Sequence, residues 1–171
     1  NQNSMHKAFE SERLTIRPTL KQDSELFYQL MSTPKFISKV GDKGIKSIEN
    51  AENYIQDKMI SQLNDLGFSS YSLITKSESE KIGICGLFNR EGVDGIDIGF
   101  VLLPQFEGLG YAYEAAIAVR DYAIKNFKFS SLASHIVEEN KKSLLLAEKI
   151  GSKVKKEEII DNKKFIIFFH I

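Results

Sequence analysis

The chain has 171 residues, with 23 Lys and Arg against 23 Asp and Glu, so its formal net charge is zero. Hydrophobic residues make up 42% and charged residues 27%, a globular mixture and not a disordered one, and the length suits one domain that buries roughly 70% of its unfolded surface. Balanced charge removes the usual ground for nucleic-acid binding, no apolar run approaches the ~18 residues of a membrane span, and the lone Cys85 excludes a disulfide framework or a Cys-rich zinc site.

Residues 1–4, ahead of Met5, read as an expression remnant, which leaves 5–171 as the domain. No basic start with an apolar stretch follows, so a reducing cytoplasm is the expected compartment. Residues 13–18 alternate polar and apolar side chains and read as a first strand that Pro18 ends. Thr19 and Gln22 form a candidate capping box ahead of Leu26, Phe27, Leu30 and Met31 at helical spacing. Pro34 breaks that helix, and residues 35–46 read as a short helix or loop.

Ser47 suits the N-cap of a helix carrying Ile48, Ala51, Ile55, Met59, Leu63 and Leu66 along one side, with Gly67 closing it. Residues 69–75, 81–89 and 96–103 read as an antiparallel meander. Residues 111–127 form a long helix whose Ala112, Ala116, Val119 and Ala123 allow close approach to a sheet. A strand over 131–137, a helix over 140–150 ended by Gly151, and a hairpin of 154–159 with 164–170 around Asp161 and Asn162 complete the order. Cys85 sits in an apolar run and reads as a buried, inert thiol. This order predicts an α/β (α+β) fold: one mixed, mostly antiparallel twisted sheet of about seven strands flanked by about four helices. Two strand–helix–strand passages near the end each offer a parallel strand pair.

Residues 98–114 are the most informative stretch. An apolar strand stops at Pro104, a turn carries Gly108 and Gly110, and a helix begins at Tyr111. The first N–H groups of a helix lack internal partners and sit at the positive end of its dipole. Glycines before them let backbone donors converge on an anion, for which a diphosphate is a natural guest. A P-loop requires four residues between its glycines followed by Lys-Ser/Thr, and neither is present. A dinucleotide fingerprint requires a third Gly or Ala where Tyr113 stands. The acyl-CoA pattern Gln/Arg-x-x-Gly-x-Gly/Ala is matched without a gap by Gln105, Gly108 and Gly110.

From Arg13 to about Ile159 the chain resembles the GNAT acetyltransferases, most of all the branch that includes the ribosomal-protein N-terminal acetyltransferases. The resemblance rests on residues 13–18, on 82–87, on Asp97 to Phe100, on the Gln105–Gly110 loop with Tyr111 to Ala115, and on Glu139, Asn140 and Ser143 leading to Gly151. It implies a splayed central strand pair with acetyl-CoA lying in the gap. Phe100, Val101 and Leu102 would supply backbone groups to the pantetheine, an unpaired strand edge being suited to a peptide-like chain. Gln105 and the amides of Glu107, Gly108, Leu109, Gly110, Tyr111 and Ala112 would form the diphosphate site, and Asn140 would hydrogen-bond the pantetheine. Asn140 is equally an N-cap for its own helix. Lys141 and Lys142 face either the CoA 3′-phosphate or solvent.

Acetyl transfer to an amine requires a neutral nucleophile, a polarised thioester and a proton for the thiolate. An α-amino group with a pKa near ~8 demands less of a base than a lysine-like amine near ~10.4. By resemblance, Asp97 is the candidate general base, directly or through water; a turn carboxylate beside Asp94 and Gly95 is the other reading. A strand N–H, that of Val101, would polarise the carbonyl. Many relatives carry a Tyr seven residues after the Asn, where this chain has Ala147. Ser143 takes its place as proton donor, CoA contact or local helix cap. His135, Tyr111 and Tyr113 read as structural.

These readings define an acetyl-CoA-dependent N-acetyltransferase acting on a primary amine, either a protein N-terminus or a small molecule, with no metal. A non-catalytic acyl-CoA-binding module or sensor is the alternative. A protein acceptor predicts an open groove and a polyamine predicts an acid-lined pocket. Glu49, Glu52, Asp57 and Asp65 beside Lys58 do not decide between them. Oligomeric state is left open.

Overall fold

The structure, a computed structural model, describes residues 6–89, 95–129, 131–151 and 154–170. Residues 1–4 and Asp94, named above, lie outside them. Eight strands form one sheet: β1 (Phe9–Glu10), β2 (Leu14–Pro18), β3 (Ser70–Thr75), β4 (Lys81–Phe88), β5 (Ile96–Leu102), β6 (Leu132–Val137), β7 (Val154–Ile160) and β8 (Lys163–Phe169). Their order is β1-β2-β3-β4-β5-β6-β8-β7. The strand beyond the expected set is β1, whose two residues are too few to show a period in sequence.

Only β5 and β6 pair in parallel; the other described pairs are antiparallel. The long helix α4 (Tyr111–Asn126) makes that crossover. The second expected parallel pair does not form, because β8 lies between β6 and β7 and pairs antiparallel with both. Asp161 and Asn162 both adopt left-handed φ, 51° and 65°, in the tight turn that folds β8 back along β7.

Three helices cover one face: α1 (Ser24–Met31), α2 (Pro34–Lys39) and α3, which runs through Ile48–Tyr54, a π-type stretch Ile55–Ile60, and Ser61–Leu66. Thr33 caps α2 by accepting the Phe36 N–H, with Pro34 in the first turn where its missing donor costs nothing. Ser47 caps α3, and Gly67 ends it at φ 86°. The Thr19–Gln22 capping box is absent. Thr19 is buried, its hydroxyl bonded to Ser70 and Ser72, and the carboxylate of Asp23 takes the Leu20 N–H instead.

Helix α4 lays Ala115, Val119 and Ala123 on the other face, against Leu14, Tyr71, Cys85 and Leu87. Burial pushes the Cys85 thiol up to about 12, so it stays protonated and unreactive at neutral pH. Phe27, Met31, Phe36, Ala51, Ile55 and Met59 pack on Ile84 and Leu103 across the sheet. Among the described residues no helix is long and apolar enough to cross a membrane.

Asp23 anchors this second layer. Its buried carboxylate accepts two bonds from Arg17 at 2.8 Å, one from Ser72 at 2.9 Å, and lies 2.9 Å from the Lys81 ammonium. Burial alone would raise its pKa, but the Arg17, Leu20, Lys81 and Ser72 donors outweigh that and hold it well below the usual carboxylate range. Its contribution to stability is therefore complete above the unfolded value near ~3.9 and lost as pH falls through the lower folded value. Asp23→Ala strands Arg17, and denaturant titration should show a loss of about 3–5 kcal/mol.

Candidate active site

The parallel pairing of β5 and β6 stops almost as soon as it starts. Ile96 faces Leu132 and Asp97 faces Ala133, and no further register is kept. Past that point side chains replace the ladder. The Ser134 hydroxyl donates to the Ile98 carbonyl at 3.1 Å, and the His135 N–H donates to Asp97 Oδ1 at 2.9 Å. The strands then part.

Backbone alternation decides which groups face the opening. The Leu103 N–H donates to the Ile82 carbonyl on the β4 side at 2.9 Å, and Val101 lies opposite Ile84. In an antiparallel pair every second residue points its polar groups at the partner, so those of Val101 and Gly99 are directed at β4. Phe100 and Leu102 direct theirs toward the gap, as Ile98 does toward Ser134. The strand amides directed into the gap are thus those of Phe100 and Leu102, while the Val101 N–H, expected to polarise the carbonyl, is directed at β4. Val101 still lines the gap.

At the root of the split sits a carboxylate–imidazole pair. Asp97 is 1% exposed, and its Oδ1 lies 2.9 Å from His135 Nδ1 as well as from the His135 N–H. A carboxylate oxygen accepts from a ring N–H, which places a hydrogen on Nδ1. On the far side, Ser134 Oγ lies 2.9 Å from His170 Nε2. Burial, helped by the positive charge of Arg120, pushes His170 down to about 4, so it is neutral near pH 7.

The glycine turn lies at the other end of the gap. Pro104–Phe106 form a 3-10 turn, and Gly108 and Gly110 take φ 74° and 85° before α4 begins. A Cβ built on Gly108 meets nothing within 4 Å, which leaves an open approach to the helix start. The Glu107 N–H is already donated to the Pro104 carbonyl at 3.2 Å, so the outward donors begin after it. Gln105 and Leu109 are exposed. Lys35 and Lys142 flank the Glu107 carboxylate at 3.4 and 3.9 Å.

A clamp from the bend between β1 and β2 fixes this turn. Arg13 Nε donates to Glu114 Oε1 at 2.7 Å, the Arg13 N–H donates to Glu114 Oε2 at 2.7 Å, and Nη1 holds the Leu109 carbonyl at 3.0 Å. The guanidinium also stacks 4.1 Å from the centroid of Tyr111, giving that ring a packing role. Burial raises the Glu114 carboxyl, but bonds from Ser11 and Arg13 outweigh it and keep the group below its ordinary value. Sequence reasoning missed this pair because its members stand 101 positions apart.

Two cavities meet in the gap. One, of about 470 Å³, runs from Gly108, Gly110, Ala112 and Tyr113 along Phe100, Val101 and Leu102. The other, of about 480 Å³, is lined by Asp97, His135, Phe88, Tyr54 and the π-type stretch of α3 at Lys58 and Met59. Phe100, Val101, Asn140 and Ser143 line both. Asn140 caps helix α5 (Lys141–Lys149), its Oδ1 accepting the Ser143 N–H at 3.4 Å. Ala147 is buried against the second cavity. Among the described residues no cluster of three or more His, Cys, Asp or Glu is placed to hold a metal ion.

The sheet is thus opened between parallel strands, with a glycine turn at one end and a carboxylate–imidazole pair at the other. The family model for the acetyltransferase (GNAT) domain matches residues 13–153. The chain belongs to the GNAT family and is an N-acetyltransferase. It is 28% identical over 143 residues to an uncharacterized N-acetyltransferase, p20, of Bacillus licheniformis, covering 82% of this chain and 79% of that one. An acetyltransferase from Agrobacterium tumefaciens str. C58 superposes with a TM-score of 0.79 at 25% identity, over 96% of this chain and 95% of the other. The ribosomal-protein-S5-alanine acetyltransferase of Vibrio fischeri shares the fold with a TM-score of 0.75 at 15% identity, over 96% of each chain.

Proposed function

We propose that the chain transfers the acetyl group of acetyl-CoA to a primary amine by direct attack of the amine on the thioester. The observation that carries this is the meeting of two cavities at Phe100, Val101, Asn140 and Ser143. Direct transfer requires both substrates in contact at once, and two channels opening on one point provide for that. The donor side fits a nucleotide diphosphate. Its described charged residues are Lys35, Lys39, Lys142 and Lys149 against Glu107, and the orphan amides of α4 face the same space.

Bound there, acetyl-CoA supplies an activated acyl group and a thiolate leaving group. His135 Nε2 takes a proton from the incoming ammonium, and Asp97 stabilises the imidazolium through Nδ1. The Phe100 N–H polarises the thioester carbonyl. As the C–N bond forms and the C–S bond breaks, the second amine proton passes to the departing sulfur through the Ser143 hydroxyl. Asn140, besides capping α5, offers its side-chain amide to the pantetheine. Gly108, Leu109, Gly110, Tyr111 and Ala112 supply the diphosphate amides.

A thiol-release assay with acetyl-CoA and a panel of amines, run beside calorimetry with CoA, tests this reading. Micromolar CoA binding with amine-dependent thiol release is the expected result. Tight CoA binding with no amine dependence would overturn transfer in favour of an acyl-CoA-binding module.

A further inference from the structure

We propose that the acceptor is an amine that also carries an acidic group, a carboxylate or a phosphate, held on an apolar body. This rests on the acetyl-transfer reading and names its substrate class. The amine side of the site is the cavity around His135, and its charges are unevenly distributed. Among its described lining residues Lys39, Lys43, Lys58 and Lys163 are cationic, against the carboxylates of Asp97 and Asp161. Asp97 is buried and bonded to His135, at the pair where the reacting ammonium must arrive.

Three of the lysines, Lys43, Lys58 and Lys163, line this cavity and not the donor one, so CoA does not account for them. Lys58 projects from the π-type stretch of α3 and Lys163 from the start of β8, on different elements that converge on one opening. The same cavity is walled by Phe36, Tyr54, Met59, Phe88 and Phe165. A guest with its amine at the Asp97–His135 pair thus meets apolar walls for its body and lysines for its anion. A polycation would place its second ammonium among like charges, which repel it.

Matched pairs of amines test this. 4-(Aminomethyl)benzoate is compared with 4-methylbenzylamine, and the dipeptide Ala-Glu with Ala-Lys, both as C-terminal amides, with spermidine as the polycation. The acid-bearing member should show about tenfold higher kcat/KM in each pair, falling as salt rises. A gain confined to the dipeptides identifies a peptide N-terminus as the source, and a gain confined to the benzoate identifies a small molecule. Lys58→Glu with Lys163→Glu should erase or invert the preference, while CoA affinity by calorimetry stays as in the parent. Faster acetylation of spermidine or Ala-Lys would overturn the acidic acceptor and leave acetyl transfer standing. CoA binding without acetylation of any of the five would overturn both.

Discussion

Replacing His135 by Ala should lower kcat about 10²–10³-fold and leave CoA affinity unchanged, the loss expected when a positioned general base is removed. Asp97 and His135 line the same cavity and are joined through Nδ1, so in the proposed mechanism the two side chains act as one unit. Asp97→Asn keeps an oxygen for the His135 N–H and Nδ1 but removes the charge that stabilises an imidazolium. Its cost should therefore be smaller than that of His135→Ala, and the double variant should be no worse than His135→Ala alone. A carboxylate acting directly on the amine gives the opposite pattern: Asp97→Asn as damaging as His135→Ala, with additive effects. Added imidazole should restore turnover to His135→Gly, a rescue that a merely structural histidine would not show. Wild-type kcat in His135→Ala would remove the residue from the mechanism.

The donor end proposed here is legible in the sequence and the Asp97–His135 contact is not, for a physical reason. The diphosphate loop is a local device, with Gly108, Gly110 and the helix start contiguous in the chain and needing no tertiary partner to be recognised. Asp97 and His135 stand 38 positions apart and meet only because α4 returns the chain parallel to β5. Alone in sequence, His135 carries no sign of a partner, and a lone strand histidine reads as structural. The strand alternation that assigns the gap to Phe100 and not Val101 depends on register, which a run of apolar residues does not specify.

The elements themselves were legible wherever burial follows a period: α4, the β3–β5 meander, and the Ser47 and Gly67 ends of α3. Failures arose where long-range polar contacts decide. Thr19 has the identity of a helix cap, yet Ser70 and Ser72 claim its hydroxyl inside the core, and Asp23 acts in its place. The π-type stretch in α3 is equally invisible, because Ile55, Met59 and Leu63 keep an α-helical spacing through it. Yet it is this stretch that turns Lys58 and Met59 toward the acceptor cavity, in keeping with the frequency of such irregularities at functional sites.

Gly108→Asp should weaken CoA binding at least about 100-fold, because a carboxylate placed at the start of α4 opposes the diphosphate that the helix dipole and free amides attract. Two effects are combined in this substitution and a second variant separates them. At φ 74° any side chain is strained, typically by about 1–2 kcal/mol, and Gly108→Ala reports that part alone. The Cβ itself meets nothing within 4 Å, so Ala should not displace the turn, and its binding loss should stay below about tenfold. The remaining difference between Asp and Ala is charge, and it should shrink as salt is raised. Arg13→Met approaches the same turn from behind. It frees the Leu109 carbonyl and leaves Glu114 without its cation, so CoA binding should weaken although Arg13 lies far off in the chain, between β1 and β2. Calorimetry giving Gly108→Asp the affinity of the parent would place the diphosphate away from this turn, and the donor assignment would fall with it.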